Sequence, residues 1–509
     1  MGASGCADDD CGEGPANDSY PKATQERSIP VKPGATTLWV CATVAFSLAA
    51  CSSGATPSSI PASSISSSSN RSHSVAHHDS GSFTPIQHIV VIVQENRTMN
   101  DLFATFPGAT GTTTGKRLVN VSGKQKLENI QLKETDLLVK SNLNHVYSGF
   151  ITAWDNGNMD AFNNVKRTSS TQREGAAPYQ YVNPSAIAPY WDLAREWGLA
   201  NAMFTTQGSA SFAAHQALIR GGTMIDAKDS LIDNLRYTHN AWGCDSPPKS
   251  KTSLITTQLV LEKAKGPFPC TTDFPGSGAN YPTLRDLMDN AGVSWKYYAP
   301  QIGTAGGIWS AFDVIAPVRF GSEWGTNVSW PETNIFNDID NGQLAAMSWV
   351  IPNSQNSDHP REGSDTGPSW VASVVNAVGQ SQYWSSTAII ITWDDWGGFY
   401  DPVPPPPRDN QGGPGFRVPM ILVSPYARET SSSQPGYISQ TIYEFGSIVR
   451  FVEDTFNLGR LGTTDSTTNS IDDMFDFYQY PRQFQAVGSK YSRKYFMAQK
   501  PSRKPVDDI

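Results

Sequence analysis

The sequence predicts an α/β protein with one mainly parallel central sheet, helices on both faces, and long aromatic-rich loop insertions. Three observations predict it. First, four short runs are continuously apolar rather than alternating: HIVVIVQEN (88–96), MSWVIPN (347–353), TAIIITWDD (387–395) and VPMILVSP (418–425). That is the pattern of strands covered on both faces. Second, amphipathic stretches lie between them: YWDLAREWGLA, TLRDLMDNAG, VASVVNAVGQ and YEFGSIVRFVEDTF. Their apolar residues recur at helical spacing, so each has one face to bury on a sheet. Third, the Gly-, Pro- and Asn-rich regions 230–280 and 300–335 read as excursions from the sheet that wall a site.

In chain order, the fold begins late. Residues 1–36 are polar and acidic, with Cys6 and Cys11 in loop-like surroundings. The apolar run TTLWVCATVAFSLAAC then ends at Cys51. It is shorter than a membrane span and ends in small residues, as a secretory signal does. Leu48, Ala49, Ala50 and Cys51 resemble a bacterial lipobox, in which cleavage leaves the cysteine as a lipidated N-terminus. The Ser-rich CSSGATPSSIPASSISSSSN that follows is a flexible tether. The competing reading is a buried helix at 38–51. The acidic stretch is unusual ahead of a signal; a true start near Val31-Lys32 would give a shorter, basic one. The expected layout is a leader over 1–50, a tether over 51–84, one catalytic domain over 85–490 and a polar tail over 491–509. The expected location is a bacterial cell envelope, lipid-anchored, or the secreted fraction, with membrane attachment through the N-terminal lipid alone.

Net charge is −9, with no basic run, which argues against a nucleic-acid partner or a polybasic lipid anchor. Beyond Cys51 only Cys244 and Cys270 remain. In an exported chain they read as one disulfide stapling a long loop. A pair of thiolate metal ligands is the weaker alternative, because neither sits in a C-x-x-C.

The chemistry gathers at strand ends, where open α/β sheets bind ligands. The first strand runs into Glu95-Asn96, the late one into Asp394-Asp395. Either pair alone reads as a polar cap on a strand. If the two strands are neighbours, three carboxylates and an amide converge, and such a site needs a divalent cation to be stable. Oxygen donors suit Ca, Mg or Mn, and Zn with histidine near. In TTQGSASFAAHQALIRGGT a small-residue turn leads into a helix with Ser211 at its start. Ser211 reads as an N-cap, or as a nucleophile beside the unpaired N–H groups of the helix end. Ser209 competes with it. His215, one turn on, points to the same place and is a candidate substrate-binding residue. His145 and His359, each in a polar loop, are candidates for a proton donor or a phosphate-oxygen partner. His239 is the weakest candidate of the group.

These residues carry a resemblance. IQHIVVIVQENRTMNDLFATFPGA, SDHP, TWDDWGGFYDPVPPP and FRVPMILVSPYA occur in the order of the signatures of the bacterial phosphoesterase family, which includes non-specific phospholipases C and secreted acid phosphatases. The resemblance implies an alkaline-phosphatase-like fold and metal-dependent hydrolysis of phosphate esters, phospholipids among them, through a phosphoserine. It implies one divalent ion on Glu95, Asn96, Asp394 and Asp395, and Ser211 as nucleophile. His145 and His359 fall where the family has histidines around the phosphate. Departures from the family pattern are Ala213 and Ala214 in the nucleophile element, Met99-Asn100 after E-N-R-T, Pro402, and Gln440; they bear on the substrate pocket. A sulfatase lacks its C/S-x-P/A-x-R motif here, and a Ser-His-Asp esterase lacks the second glycine of G-x-S-x-G. The non-enzyme alternative is a catalytically degenerate, lipid-anchored surface binding protein of the same fold.

Overall fold

The computed structural model describes residues 84–501 except 169, 236–240, 277, 362 and 431–434. The leader, Cys51, the tether up to residue 83 and His239 lie outside the described residues.

The central sheet contains strands β1 (His88–Gln94), β2 (Gly198–Ala200), β3 (Trp295–Tyr298), β4 (Val328–Ser329), β5 (Met347–Val350), β6 (Thr387–Trp393), β7 (Met420–Val423) and β8 (Tyr437–Ser439). Their order is β4–β3–β5–β1–β6–β7–β2–β8. All neighbours run parallel except at β7, which is antiparallel to both β6 and β2. The apolar run VPMILVSP thus forms a strand as expected, but against the direction of its neighbours; an apolar run records burial, not direction.

The centre of the sheet is its most buried part. Ile89 to Val93 and Ala388 to Ile391 are all fully buried. These β-branched side chains pack well on a pleated surface covered on both faces. The principal helices are α1 (Met99–Phe103), α2 (Tyr147–Trp154), α3 (Ala188–Glu196), α4 (Ser211–Arg220), α5 (Leu284–Ala291), α6 (Asn334–Asp340), α7 (Gly367–Gly379), α8 (Phe445–Phe456) and α9 (Arg493–Ala498). They pack in two groups: α3, α6 and α9 touch α7, while α5 and α8 touch α4.

Two segments depart from the sequence reading. YWDLAREWGLA reads as one helix, but α3 stops at Glu196 and its last three residues become β2. Gly198 permits this, because a side chain there would press on Met474 and the Tyr437 carbonyl at 3.3 and 3.4 Å. Near the C-terminus, a polar tail was expected from 491, yet α9 forms there. Its Phe496 is buried edge-on to Trp370, with ring centroids 5.4 Å apart. The excursion at 230–280 contains a small three-stranded antiparallel sheet, and Cys244 is disulfide-bonded to Cys270.

Candidate active site

Strands β1 and β6 are hydrogen-bonded neighbours, in register to their last residues, with Gln94 opposite Trp393. The residues that follow therefore emerge side by side. Asp394 N–H donates to Gln94 O (2.9 Å), and Asn96 N–H donates to Asp394 Oδ1 (2.9 Å). Asn96 has φ +60°, a left-handed conformation that asparagine tolerates better than most residues. The turn continues through Gly397, where a Cβ would lie 2.2 Å from Asn96 O. Only glycine fits there.

Ser211 reaches the same point from the other side. It is the first residue of α4, not its cap. Ala210 occupies the N-cap position, and Asn234 Oδ1 accepts the Phe212 N–H (2.7 Å) in place of a capping serine. Ser211 Oγ is thereby left for the strand ends: it donates to Asp395 Oδ2 (3.1 Å) and lies 3.3 Å from Asn96 Oδ1. Asp395 Oδ1 accepts from Gly397 N–H (2.7 Å), which fixes the carboxylate. Ser209 is occupied elsewhere, its Oγ accepting from Asp233 N–H (2.6 Å).

Three histidines converge. His145 Nδ1 bonds Leu143 O (2.7 Å), so its Nε2 faces the site, 3.3 Å from the Asn96 amide nitrogen and 3.9 Å from Asp395 Oδ2. His359 is held alike, with Nδ1 on Pro360 O (2.8 Å). In each ring the carbonyl fixes the proton on Nδ1 and leaves Nε2 for chemistry. His215 Nε2 lies 2.8 Å from Glu95 Oε1. Sequence reasoning assigned His215 to the substrate; here it stands on a carboxylate. Burial pushes its pKa down to about 3, so the ring is neutral, as a metal ligand must be.

All eight predicted site residues (Glu95, Asn96, His145, Ser211, His215, His359, Asp394 and Asp395) come together, each no more than 1 % exposed. Glu95, His215 and Asp394 each offer an atom within 4.8 Å of the others. The Asn96 amide tests whether the set suits a cation. In one orientation its oxygen faces Asp394 Oδ1 (3.0 Å) and Glu95 Oε2 (3.2 Å), three oxygens with no proton among them. In the other, the NH2 bridges those carboxylates and the oxygen accepts from His359 Nε2 (3.1 Å). The first arrangement is what a hard cation stabilises, and the buried carboxylates supply the charge for it. The residues fit a divalent ion.

The supporting residues were not legible as a set. Arg97 does not face the site: it bonds Asp358 O (3.1 and 2.8 Å) and pairs with Asp101 (3.0 Å). Asp358 accepts from Tyr190 Oη (2.7 Å) and Trp393 Nε1 (3.2 Å), bracing the loop that carries His359. Glu95 N–H donates to Ser357 O (2.7 Å), tying that loop to β1. Trp396 Nε1 donates to His145 O (2.9 Å), tying the His145 loop to β6. Arg97, Asp101, Asp358, Trp393 and Trp396 fall within the quoted signatures, but nothing in the sequence singled out Tyr190.

A family model described as the Phosphoesterase family matches residues 86–459. A non-hemolytic phospholipase C of Burkholderia pseudomallei is 24% identical over 75% of this chain and 57% of its own length. A phospholipase C A of Mycobacterium tuberculosis is 25% identical over 68% of this chain and 69% of its own. The chain spans just over half the length of the Burkholderia relative and of a Pseudomonas aeruginosa non-hemolytic phospholipase C. A solved structure of an alkaline phosphatase superfamily protein from Vibrio parahaemolyticus aligns over 77% of this chain and 73% of that one, at 11% identity and a TM-score of 0.34.

Proposed function

The chain belongs to the Phosphoesterase family, and from that premise we propose that it hydrolyses phosphate esters in a metal-dependent reaction through a phosphoserine at Ser211. The observation that carries this is the placement of Ser211 Oγ. A hydroxyl on the first residue of a helix is hydrogen-bonded to the end of one central strand, beside the end of its neighbour.

Glu95, Asn96 and Asp394, with His215 beside them, would hold the divalent ion, which would supply Lewis-acid stabilisation of phosphoryl charge. Asp395 is the fourth oxygen donor of the set, and its Oδ2 already accepts the Ser211 proton. That proton passes to it as Oγ attacks phosphorus, and the P–O bond to the alcohol breaks in line. His145 faces the phosphoryl oxygens, and the positive end of the α4 dipole favours their charge. His359, with one proton held on Nδ1, gives a second from Nε2 to the leaving alkoxide. In the second half-reaction the same Nε2 takes a proton from water, which attacks the phosphoserine; the P–Oγ bond breaks, Asp395 returns its proton to Ser211 Oγ, and phosphate leaves, or a phosphomonoester where the substrate is a phospholipid.

The relatives' names support a phospholipid substrate; a smaller phosphomonoester is the alternative. The test is hydrolysis of a chromogenic phosphomonoester and of a phospholipid, side by side. Chelation should abolish activity and metal restore it. Ser211→Ala should lose about 10⁴-fold or more in kcat and keep its metal. Full activity in Ser211→Ala, or after complete metal removal, would sink the proposal. The preferred substrate then separates phospholipase C from phosphatase.

A further inference from the structure

A second cavity lies on the same edge of the sheet, outside the residues used above. Its volume is about 150 Å³, small against the several hundred Å³ of a drug-sized pocket. It opens beyond the carboxyl ends of three adjacent strands: Pro300 follows β3, Trp330 follows β4 and Asn353 follows β5. Trp330, Pro300, Phe496 and Met497 form its apolar walls, and Gln301, Thr304, Thr333, Asn353 and Gln499 line the rest. Trp330 and Met497 are 39 % and 48 % exposed and stand at the mouth.

Within it lies one carboxylate. Glu332 is 4 % exposed, and its Oε1 accepts from Asn353 Nδ2 (2.7 Å). No lysine or arginine is among the residues lining the cavity. Hydrogen bonds from the Asn353 amide and from the backbone of Glu332 and Asn353 do not neutralise a buried charge. Burial accordingly pushes the Glu332 carboxyl up to about 7. A cation entering the cavity would meet this charge together with an indole and a phenyl ring. That combination attracts alkylated ammonium ions, whose methyl groups pack on ring faces while their charge faces the carboxylate. A bare metal ion is a poor fit, because it needs about six oxygens, carboxylates among them, and one carboxylate lines the cavity.

We propose that this cavity binds a small organic ammonium ion, clasped between the Trp330 ring and the Glu332 carboxylate. The cavity is coupled to the catalytic loop. Gln499, on its wall, receives Asn356 Nδ2 (2.7 Å) and donates to Gln355 Oε1 (2.9 Å). Asn356 O in turn accepts from Gln94 Nε2 (3.1 Å), one residue before Glu95. The ammonium group has two sources, a free amine or the alcohol part of a phosphate ester, and kinetics separates them.

The first measurement is titration calorimetry of the full chain with tetramethylammonium chloride, using neopentyl alcohol as the uncharged isostere. Saturable binding of the cation, no binding of the alcohol, and at least tenfold weaker binding in Glu332→Gln and in Trp330→Ala support the proposal. Trp330 is partly exposed, so its variant tests the site even if Glu332→Gln fails to fold. Equal binding to wild type and both variants, equal binding of the alcohol, or no binding at all overturns it. Given binding, if the cation competes with an ammonium-bearing phosphate ester but not with an uncharged one, the substrate is the source; competition with neither assigns a free amine. Binding is read without turnover, so failure of the phosphoserine reading would leave this result standing.

Discussion

At the residue scale, the site rests on pairs of adjacent residues whose side chains face one point from different elements. Glu95-Asn96 and Asp394-Asp395 were legible because two such pairs end continuous apolar runs; either alone reads as a polar strand cap, and the two together point to a shared ion. Ser211 was legible by position but not by role, because an N-cap and a nucleophile look alike in sequence. Only the folded chain shows Ala210 at the cap position and Asn234 satisfying the helix end. His215 was drawn to the right place, but its contact with Glu95 is a tertiary fact with no local signal. His359 carries a prediction. Its Nδ1 is fixed on Pro360 O, so Nε2 alone can serve the leaving group. His359→Ala should lower kcat/KM, which reports phosphorylation of Ser211 and not its hydrolysis, about 10²–10⁴-fold on an ester with a poor alkyl alcohol leaving group, and much less on a 4-nitrophenyl ester, whose phenoxide needs no proton. Equal losses on both, in steady-state assays, would reassign His359 to holding Asn96.

At the element scale, the register of β1 against β6 assembles the site. The two strands are separated by most of the catalytic domain in sequence, and periodicity could not reveal that they pair. Strand direction was hidden for the same reason: β7 has the apolar character of its neighbours but runs against them. The hairpin over Thr114–Val121 and Lys124–Gln131 was also missed. Many of its residues are exposed, so no apolar face marks it. Its turn is Ser122-Gly123, both at positive φ, as a tight two-residue hairpin loop requires. The turn after β6 is where the element and the chemistry meet. Gly397 has φ +56°, with Asn96 O 2.2 Å from where a Cβ would stand. Gly397→Ala should displace both strand ends, lowering activity at least about 10²-fold, since a shift of about 1 Å suffices for that, and lowering Tm. An alanine variant with unchanged kcat and metal affinity would show that the turn does not set the site.

At the scale of the whole molecule, the centre of the sheet was the most legible part, because four apolar runs form four of its strands. The loops were legible only as insertions. Two of them bring together an acid pair that shapes stability, Asp313 from one and the partly exposed Asp245 from the other. Asp313 is fully buried and its carboxyl is pushed up to about 9, first by burial and then by the Asp245 carboxyl beside it, despite Arg319 at 3.5 Å. A carboxyl whose folded pKa is raised stabilises the fold below its unfolded pKa, near 4, and that contribution is lost as pH rises toward 9. Asp313→Asn keeps the neutral form at all pH. Its Tm should match wild type near pH 4 and exceed it increasingly up to pH 9; parallel melting curves across that range would contradict this assignment. The covalent intermediate is tested most directly by stopping turnover of a phosphate ester with acid and mapping the protein by peptide mass spectrometry. The account predicts phosphate on the peptide containing Ser211, and specifically on Ser211, in the metal-loaded protein but not in the chelated one. Rapid turnover with no phosphorylated peptide, or phosphate on Ser209, would contradict it.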